Sequence, residues 1–200
     1  MSAVRADARS TYHHGDLRRE LVDAAWALID AKGIGGFTLR EAARGAGVNH
    51  RAAYRHFRSK EELIAAVAIK GFDRLRVAMR RRIREVERPR ERVEGIFRAY
   101  VRFALRYPTR YRMMFGPSSL GVGATPELRE AAFRVIGVIE PEAEAVLGER
   151  GRAVRDAVIG QWSLAHGLCE LMIAGHVPYA SIRKAEDYVL ERMRAGPTLL

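Results

Sequence analysis

The segment from Asn49 to Lys60 carries polar and aromatic side chains where a helix packed inside a core would carry leucine. Arginine can donate two hydrogen bonds to guanine, histidine can bond one base acceptor, and alanine leaves room beside a thymine methyl group. Tyrosine, histidine and lysine, with the amides at a helix start, can bond phosphate oxygens, which fix position without reading sequence. The chemistry that this segment predicts is recognition of a nucleic acid duplex.

Two groups of candidate contact residues follow from these side-chain types. The group predicted to meet base edges is His50, Arg51, Ala52 and Arg55. The group predicted to meet phosphates is Tyr54, His56 and Lys60, while Arg40 in the preceding helix can reach either. A small helical core with a polar surface helix is the alternative interpretation of the same pattern.

Capping and glycine signals predict three helices before Lys60. The first covers about 16–32 and ends in a glycine-rich turn. A capping-box pattern at Thr38 and Glu41 opens the second, which stops at another glycine-rich turn. Asn49 is a favourable N-cap for the third. Two helices joined by a tight turn, the second one polar, form a helix-turn-helix arrangement.

The rest of the chain also predicts helices, so the expected fold class is all-α. A second capping pattern, Ser59-Lys60-Glu61-Glu62, opens a long helix expected to reach about residue 87. No run alternates apolar and polar residues over the length of a strand. Pro141 is expected to kink or split its helix. Later helices are predicted over 90–106, 109–114, 126–147, 152–174 and 181–194.

Charge is distributed unevenly along the 200 residues, whose formal net charge is +11. Residues 1–70 carry a net charge of +4, residues 71–112 carry +9, and residues 113–200 carry −2. A basic first half is expected of a region that meets a polyanion. Solvated helix faces rich in arginine are the alternative explanation.

Several functional classes receive no support from the sequence. The single cysteine, Cys169, excludes an internal disulfide framework and fits a reducing compartment. The chain has no apolar signal core and no apolar run that could span a bilayer, so a soluble, cytoplasmic protein without a membrane partner is expected. No metal-ligand spacing or catalytic motif stands out. We therefore predict no catalytic residue, metal or cofactor, and a protein that is not an enzyme.

The first third of the chain resembles the N-terminal DNA-binding domain of the TetR family of transcriptional repressors. The similar stretches are YHHGDLRRELVDAAWALIDAKG, FTLREAARGAGV and AYRHFRSKEELIAAV, and they include a Tyr-x-His-Phe-x-x-Lys signature. The resemblance implies phosphate contacts from Thr38, Tyr54, His56 and Lys60, and places Arg40, His50, Arg51 and Arg55 near base edges. Ala53 departs from the usual leucine or isoleucine, which leaves less apolar area to seat the recognition helix.

The second half resembles the WHG-type C-terminal domain found in a subset of these regulators. The resemblance lies in YVRFALRYPTRYRMMFG and QWSLAHGLCELMIAG, and the name refers to Trp162, His166 and Gly167. Aromatic and methionine side chains suit a small-molecule cavity because they adapt to the shape of a ligand. Plain core filling is the alternative for each of these side chains. The candidate ligand-binding residues are Phe103, Tyr107, Tyr111, Met114, Phe115, Trp162 and His166.

The helix predicted over 152–174 is apolar almost all round, so each of its faces must be buried. One face is expected in the core and another against a second subunit. We therefore predict a homodimer in which the 152–174 and 181–194 helices form a four-helix contact. Two copies supply the two recognition helices that a pseudo-palindromic DNA site requires.

The predicted organisation is a flexible basic arm over 1–13, a helix-turn-helix DNA-binding domain over 14–70, and a larger helical ligand-binding and dimerisation domain over 71–200. Arg5 and Arg9 of the arm are expected near a minor groove. The implied function is a ligand-responsive regulator, a repressor released from its double-stranded DNA operator by a small-molecule effector. Two alternatives stay open: an architectural DNA binder that uses residues 74–112 as a phosphate track, and an enzyme or binding protein with a degenerate DNA-binding head.

Overall fold

The computed structural model describes residues 14–116 and 124–195, which form nine helices and no strand. The predicted all-α fold class is confirmed, whereas the arm with Arg5 and Arg9 lies outside the described residues. No described helix is long and apolar enough to cross a membrane. The helices are α1 (His14–Lys32), α2 (Leu39–Gly45), α3 (His50–His56), α4 (Lys60–Ile83), α5 (Pro89–Arg106), α6 (Pro108–Phe115), α7 (Pro126–Leu147), α8 (Arg152–Ile173) and α9 (Ile182–Arg194).

The chain divides into two compact units, Met1–Leu63 and Ile64–Leu200. The boundary between them follows Leu63, whereas the sequence predicts it at residue 70. In the first unit, α1 and α2 contact each other and both contact α3. A side chain at Gly45 would place its Cβ 3.2 Å from the Cβ of Ala24, so glycine allows α2 to approach α1 closely. From α3 itself only Ala53 is buried, and Phe57 closes the helix end with its ring fully buried.

Side-chain caps fix where the short helices begin. The backbone N–H of Glu41 donates to the Thr38 hydroxyl (3.2 Å), and the N–H of Thr38 donates to the Glu41 carboxylate (2.8 Å). The Asn49 side chain accepts from the N–H of Arg51 at 2.9 Å. These hydrogen bonds satisfy N–H groups that a helix start leaves without partners, so they stabilise the first turns of α2 and α3.

The cap of α4 differs slightly from the predicted capping box. The Ser59 hydroxyl accepts from the N–H of Glu62, as predicted. The Glu62 carboxylate, however, accepts from the N–H of Arg58 at 2.7 Å, which lies one residue before the expected donor at Ser59. The carboxylate therefore also holds the chain that enters the helix.

In the second unit, α5 packs against α6, α7, α8 and α9 and is the central helix. Ion pairs join it to α9: Arg102 Nε lies 2.6 Å from a Glu186 carboxylate oxygen, and Arg98 Nη1 lies 2.7 Å from Asp187 Oδ1. Between α4 and α6, a Cβ at Gly71 would lie 2.5 Å from the sulfur of Met114. A larger residue at this position would force the Met114 side chain to move, so glycine allows α4 and α6 to pack with Met114 in its present position.

The predicted end of one long helix and one of the two outcomes predicted for another need correction. Helix α4 ends at Ile83 rather than near residue 87. Pro89 restricts Arg88, the residue before it, to extended backbone. The carbonyl of Val86 accepts a hydrogen bond from Arg92 Nε and not from a helical N–H. Of the two outcomes predicted at Pro141, a kink or a split, the split is wrong, since α7 continues through Pro141 to Leu147. Because proline has no N–H, the carbonyl of Gly137 loses its helical donor. Gly137 and Pro141 are both exposed, so water can replace that hydrogen bond.

The Thr38–Glu41 cap predicts a specific pH dependence of stability. Hydrogen bonds from the Lys32 ammonium, the Thr38 hydroxyl and the Thr38 N–H lower the pKa of Glu41 from 4.5 to about 2. The folded state therefore gains stability from ionised Glu41 above about pH 4.5 and loses it as the pH falls towards 2. We expect Glu41→Gln to be less stable than the wild type at pH 7, with the gap closing between these pH values in urea unfolding followed by circular dichroism.

Glu149→Gln, in the exposed turn after α7, is the control and should show no such convergence. A stability gap for Glu41→Gln that stayed constant from pH 7 to pH 2 would contradict this account of the cap.

Candidate functional site

Helix α3 buries a narrow apolar strip and exposes a wide polar face. Ala53 and Phe57 lie four positions apart and are fully buried, so they mark the inner side of the helix. Ala52 and His56 are half-buried at the edges of this strip. The outer face consists of His50, Arg51, Tyr54 and Arg55, all exposed. The structure thus brings the predicted base-edge residues together on one surface, and contact with DNA itself remains a prediction.

The other predicted phosphate-contact residues lie around this helix with defined partners. The Thr38 hydroxyl donates to Glu41 at 3.0 Å, and Arg40 is exposed in the first turn of α2. Lys60 Nζ donates to the carbonyl of Gly35 at 3.1 Å and lies 4.6 Å from the centre of the Phe37 ring. Lys60 therefore ties the start of α4 to the turn after α1. A phosphate oxygen could bind Thr38 or Lys60 by replacing the present acceptor of that side chain.

A cavity of about 290 Å³ lies within the second unit. Its walls come from five helices, α4 to α8, and are almost entirely apolar or aromatic. Helix α7 supplies the longest side, including Phe133, which is 66% exposed at the rim. The inner end is formed by Tyr100 and Trp162, and Arg129 is the charged lining residue. A cavity of this size and lining suits a small, largely apolar molecule.

Behind the inner end lies a hydrogen-bonded network of four side chains from α5, α6 and α8. Trp162 Nε1 donates to the Tyr100 hydroxyl at 3.0 Å. The hydroxyls of Tyr100 and Tyr111 lie 2.8 Å apart, and His166 Nδ1 lies 2.9 Å from the first and 2.6 Å from the second. From these distances we assign a chain of donors from Trp162 to Tyr100, from Tyr100 to Tyr111, and from Tyr111 to His166.

All groups of this network are neutral at physiological pH, because burial disfavours their charged forms. It raises the pKa of the Tyr100 and Tyr111 hydroxyls far above their usual value. It lowers the pKa of His166, which leaves Nδ1 free to accept a hydrogen bond. The adjacent Cys169 is also buried, and the pKa of its thiol rises to about 12. The network therefore depends on neutral hydrogen bonds and carries no net charge beside the cavity.

A second cavity of similar size, about 280 Å³, lies on the other side of Phe115 and His166. Arg112 and Glu170 line it and form an ion pair of 3.0 Å between Nε and a carboxylate oxygen. Its charged groups are thus already paired with each other. The first cavity is the better candidate for an apolar ligand.

The structure separates the seven predicted ligand-binding residues into four groups. Phe115 and Trp162 line the first cavity, and Tyr111 and His166 form the network behind it. Met114 is buried against Gly71 of α4. Phe103 and Tyr107 pair with each other, at 5.5 Å between ring centres, and do not line the cavity.

Sequence reasoning did not single out Tyr100 or the cavity wall from α7. Tyr100 lies within the aromatic stretch that suggests a cavity, but nothing in the sequence distinguishes it from the other aromatic residues of that stretch. In α7, the apolar residues run from Ala131 to Ile139 and cover more than one helix face, which is wider than packing against one neighbour requires. That excess width was the available signal for a cavity wall.

The helix-turn-helix class of DNA-binding proteins is defined by a short polar helix that packs against a supporting helix and exposes its other side. Residues 21–67 match the family model described as "Bacterial regulatory proteins, tetR family". Residues 93–195, more than half of the chain, match the model described as "Tetracyclin repressor-like, C-terminal domain". The protein therefore belongs to the TetR family, which confirms the predicted family resemblance. The WHG type of the C-terminal domain stays a prediction, because the matched model is described only as tetracyclin repressor-like.

Individual relatives agree with this assignment. The chain is 36% identical over 83 residues to the HTH-type transcriptional repressor KstR2 of Mycobacterium tuberculosis, a match covering 41% of each chain. It is 36% identical over 85 residues to the HTH-type transcriptional regulator BetI of Rhizobium meliloti, covering 42% of each. The chain thus matches less than half the length of these curated relatives. A Rhodococcus sp. RHA1 structure of unknown function is 30% identical with a TM-score of 0.77, covering 92% of this chain and 97% of that one.

The hydrogen-bonded network predicts a measurable stability contribution from the Tyr100 hydroxyl. Tyr100→Phe leaves the Trp162 N–H without its acceptor and should lower the free energy of unfolding by about 1–3 kcal/mol. Tyr188→Phe removes an exposed hydroxyl on α9 and should change it by less than about 0.5 kcal/mol. Urea unfolding followed by tryptophan fluorescence compares the two variants, and equal effects would mean that the network does not stabilise the fold.

Proposed function

We propose that this protein is a ligand-responsive transcriptional regulator, a repressor that leaves its operator DNA when a small molecule occupies the cavity of the second unit. The observation that carries the proposal is the outer face of α3, where His50, Arg51 and Arg55 are exposed together opposite buried Ala53. A helix of this kind fits the major groove, whose base edges present acceptors to arginine and histidine. The name of the relative KstR2, a transcriptional repressor, supports repression.

Within this proposal, the contact residues divide into two roles. Arg51 and Arg55, with His50 and Ala52, read base edges, because they lie on the exposed side or edge of α3. The phosphate group is the one predicted from sequence, Thr38, Tyr54, His56 and Lys60, with Arg40 in reach of either target.

We also propose that the protein acts as a homodimer centred on α8, in keeping with the family, whose regulators bind operator DNA and typically dimerise. One flank of α8 is exposed and shows a seven-residue repeat of small residues and leucine. The repeat consists of Ala153, Gly160 and Gly167, followed four positions later by Ala157, Leu164 and Leu171. Such a repeat lets leucines of one helix fill the spaces above glycines of another.

The two glycines of this flank support a second copy as the occupant. A Cβ added at Gly160 or Gly167 would meet nothing within 4 Å among the described residues, so packing inside this chain does not require glycine there. Glycine inside an exposed helix costs about 1 kcal/mol relative to alanine. Close approach of a partner helix explains why the positions carry glycine. The exposed side of α9 is mostly charged and suits the edge of the interface better than its centre.

The proposed response to a ligand uses the cavity and helix α4. Met79 of α4 lines the cavity, and the first turn of the same helix belongs to the first unit. A ligand that fits one position of α4 better than another would shift the population of arrangements open to the DNA-binding heads. It can do so only to the extent that its affinities for the two arrangements differ.

DNA binding through α3 predicts a selective loss in one variant. Arg51→Ala should weaken binding to an operator, obtained by selection from random duplexes, by about 1–3 kcal/mol and relax its base preference. Arg152→Ala, which removes an exposed charge at the start of α8, should leave the affinity unchanged. Fluorescence anisotropy with labelled duplexes measures both variants, and equal losses would count against α3 as the reading helix.

The same titrations separate a specific regulator from an architectural DNA binder. A regulator should prefer its operator over bulk DNA by about three orders of magnitude or more. Binding along the arginine-rich 74–112 segment would instead give almost no preference and a steep dependence on salt. The latter result would overturn the proposed function.

The α8 interface predicts that bulk at Gly167 disrupts the dimer. Gly167→Leu should weaken dimerisation by about 1–3 kcal/mol, because it overfills the space into which the partner packs. Gly137→Leu is the matched control, since Gly137 is also an exposed helical glycine with nothing within 4 Å of an added Cβ. Sedimentation equilibrium should find a weakened dimer only for Gly167→Leu, and an unaffected dimer in that variant would exclude this flank.

A further inference from the structure

We infer that the ligand of the cavity is a small hydrophobic carboxylic acid, bound with its apolar body inward and its carboxylate at Arg129. The inference rests on the proposed function, since it names the chemical class of the effector. Three features of the cavity support it: its volume, the satisfied hydrogen bonds at its inner end, and the one charged side chain among its described lining residues.

The volume sets the size of the ligand. At about 290 Å³, the cavity equals roughly ten times the share of liquid volume that one water molecule occupies. It therefore accommodates roughly ten non-hydrogen atoms, the size of a medium-chain or short aryl-alkyl acid. Bulky ring systems would extend past exposed Phe133 into solvent.

The inner end has no donor to offer to a ligand. The Trp162 N–H is used by Tyr100, and the Tyr100 hydroxyl proton is used within the network. The surrounding walls are Met79, Phe115 and Ile139, whose side chains have no hydrogen-bond donor. A polar group placed here would lose its water without gaining a donor, which costs free energy. The apolar part of the ligand therefore occupies this end.

Among the described lining residues, the only full charge is the guanidinium of Arg129 on α7, at the rim. The neighbouring acids on the same helix are already engaged. Glu130 pairs with Arg134 at 2.9 Å. Glu127 takes hydrogen bonds at the start of the helix, and these bonds, with a smaller contribution from the charge of Arg129, lower the pKa of its carboxyl. Among the described residues, none forms an ion pair with Arg129 within 4.0 Å. Its planar fork of donors is thus available to a carboxylate, which it binds in two parallel hydrogen bonds.

These features together fix the orientation of the ligand. An amine would be repelled by Arg129, and a molecule with a deep polar group would be penalised at the inner end. A neutral amide of the same length can fill the cavity but gains no ion pair. Octanoate and octanamide, which match in length and differ in charge, are therefore suitable probes.

The test uses isothermal titration calorimetry on the full chain, without DNA, with octanoate, octanamide and octylamine. We expect octanoate to bind with one site per chain, octanamide more weakly and octylamine not at all. Arg129→Gln should weaken octanoate binding up to about fivefold, the upper end for an exposed ion pair, and leave octanamide unchanged. Arg134→Gln, which removes a charge from the same helix outside the lining, should bind octanoate like the wild type.

Ala132→Trp places bulk in the cavity and should abolish binding of both octanoate and octanamide, with circular dichroism confirming that the variant is folded. Octanoate binding that is unaffected by Arg129→Gln, or octanamide that binds as tightly as octanoate, would overturn the inference. These measurements contain no DNA, so they test the class of ligand separately from the proposed function. Failure of the proposed function would instead appear as a lack of operator preference in a protein that still binds octanoate.

Discussion

The second unit depends on the burial of one hydroxyl group, that of Tyr100. A buried hydroxyl destabilises a fold unless it is hydrogen-bonded, and this one has partners on two other helices. The partners are Tyr111 on α6 and both Trp162 and His166 on α8, so α5, α6 and α8 can pack together only in a narrow range of positions. Those positions leave α7 separated from Trp162 by the width of the cavity. The hydrogen bonds that stabilise the core thereby also set the shape of the candidate ligand site.

Helix α8 shows how one element serves two neighbours. Trp162 and His166 occupy the flank towards α5 and α6, whereas Gly160 and Gly167 occupy the opposite, exposed flank. The Trp-His-Gly set therefore does not form a single site. Its tryptophan and histidine belong to the hydrogen-bonded network, and its glycine belongs to the proposed subunit interface. An arrangement of this kind brings a cavity-lining side chain and the proposed partner-facing surface within two turns of one helix.

Local signals in the sequence were sufficient for the helices and for the exposed face of α3. Caps at Thr38 and Asn49 and the proline at the start of α7 act over a few residues, so their consequences can be worked out without the fold. The cavity could not be predicted in this way. Its lining depends on which helices become neighbours, and Tyr107 illustrates the difficulty, because it follows the last turn of α5 with extended φ and turns towards Phe103. Composition alone did not distinguish it from Tyr100.

The burial of Cys169 has a practical consequence for measuring motion in this protein. It is the chain's sole cysteine, and its thiol is shielded from solvent and remains protonated at neutral pH. Only thiolates react readily with maleimides and methanethiosulfonates. Spin labels or fluorophores attached to cysteines introduced on the surface would therefore report from the chosen sites alone, with the native residue left in place.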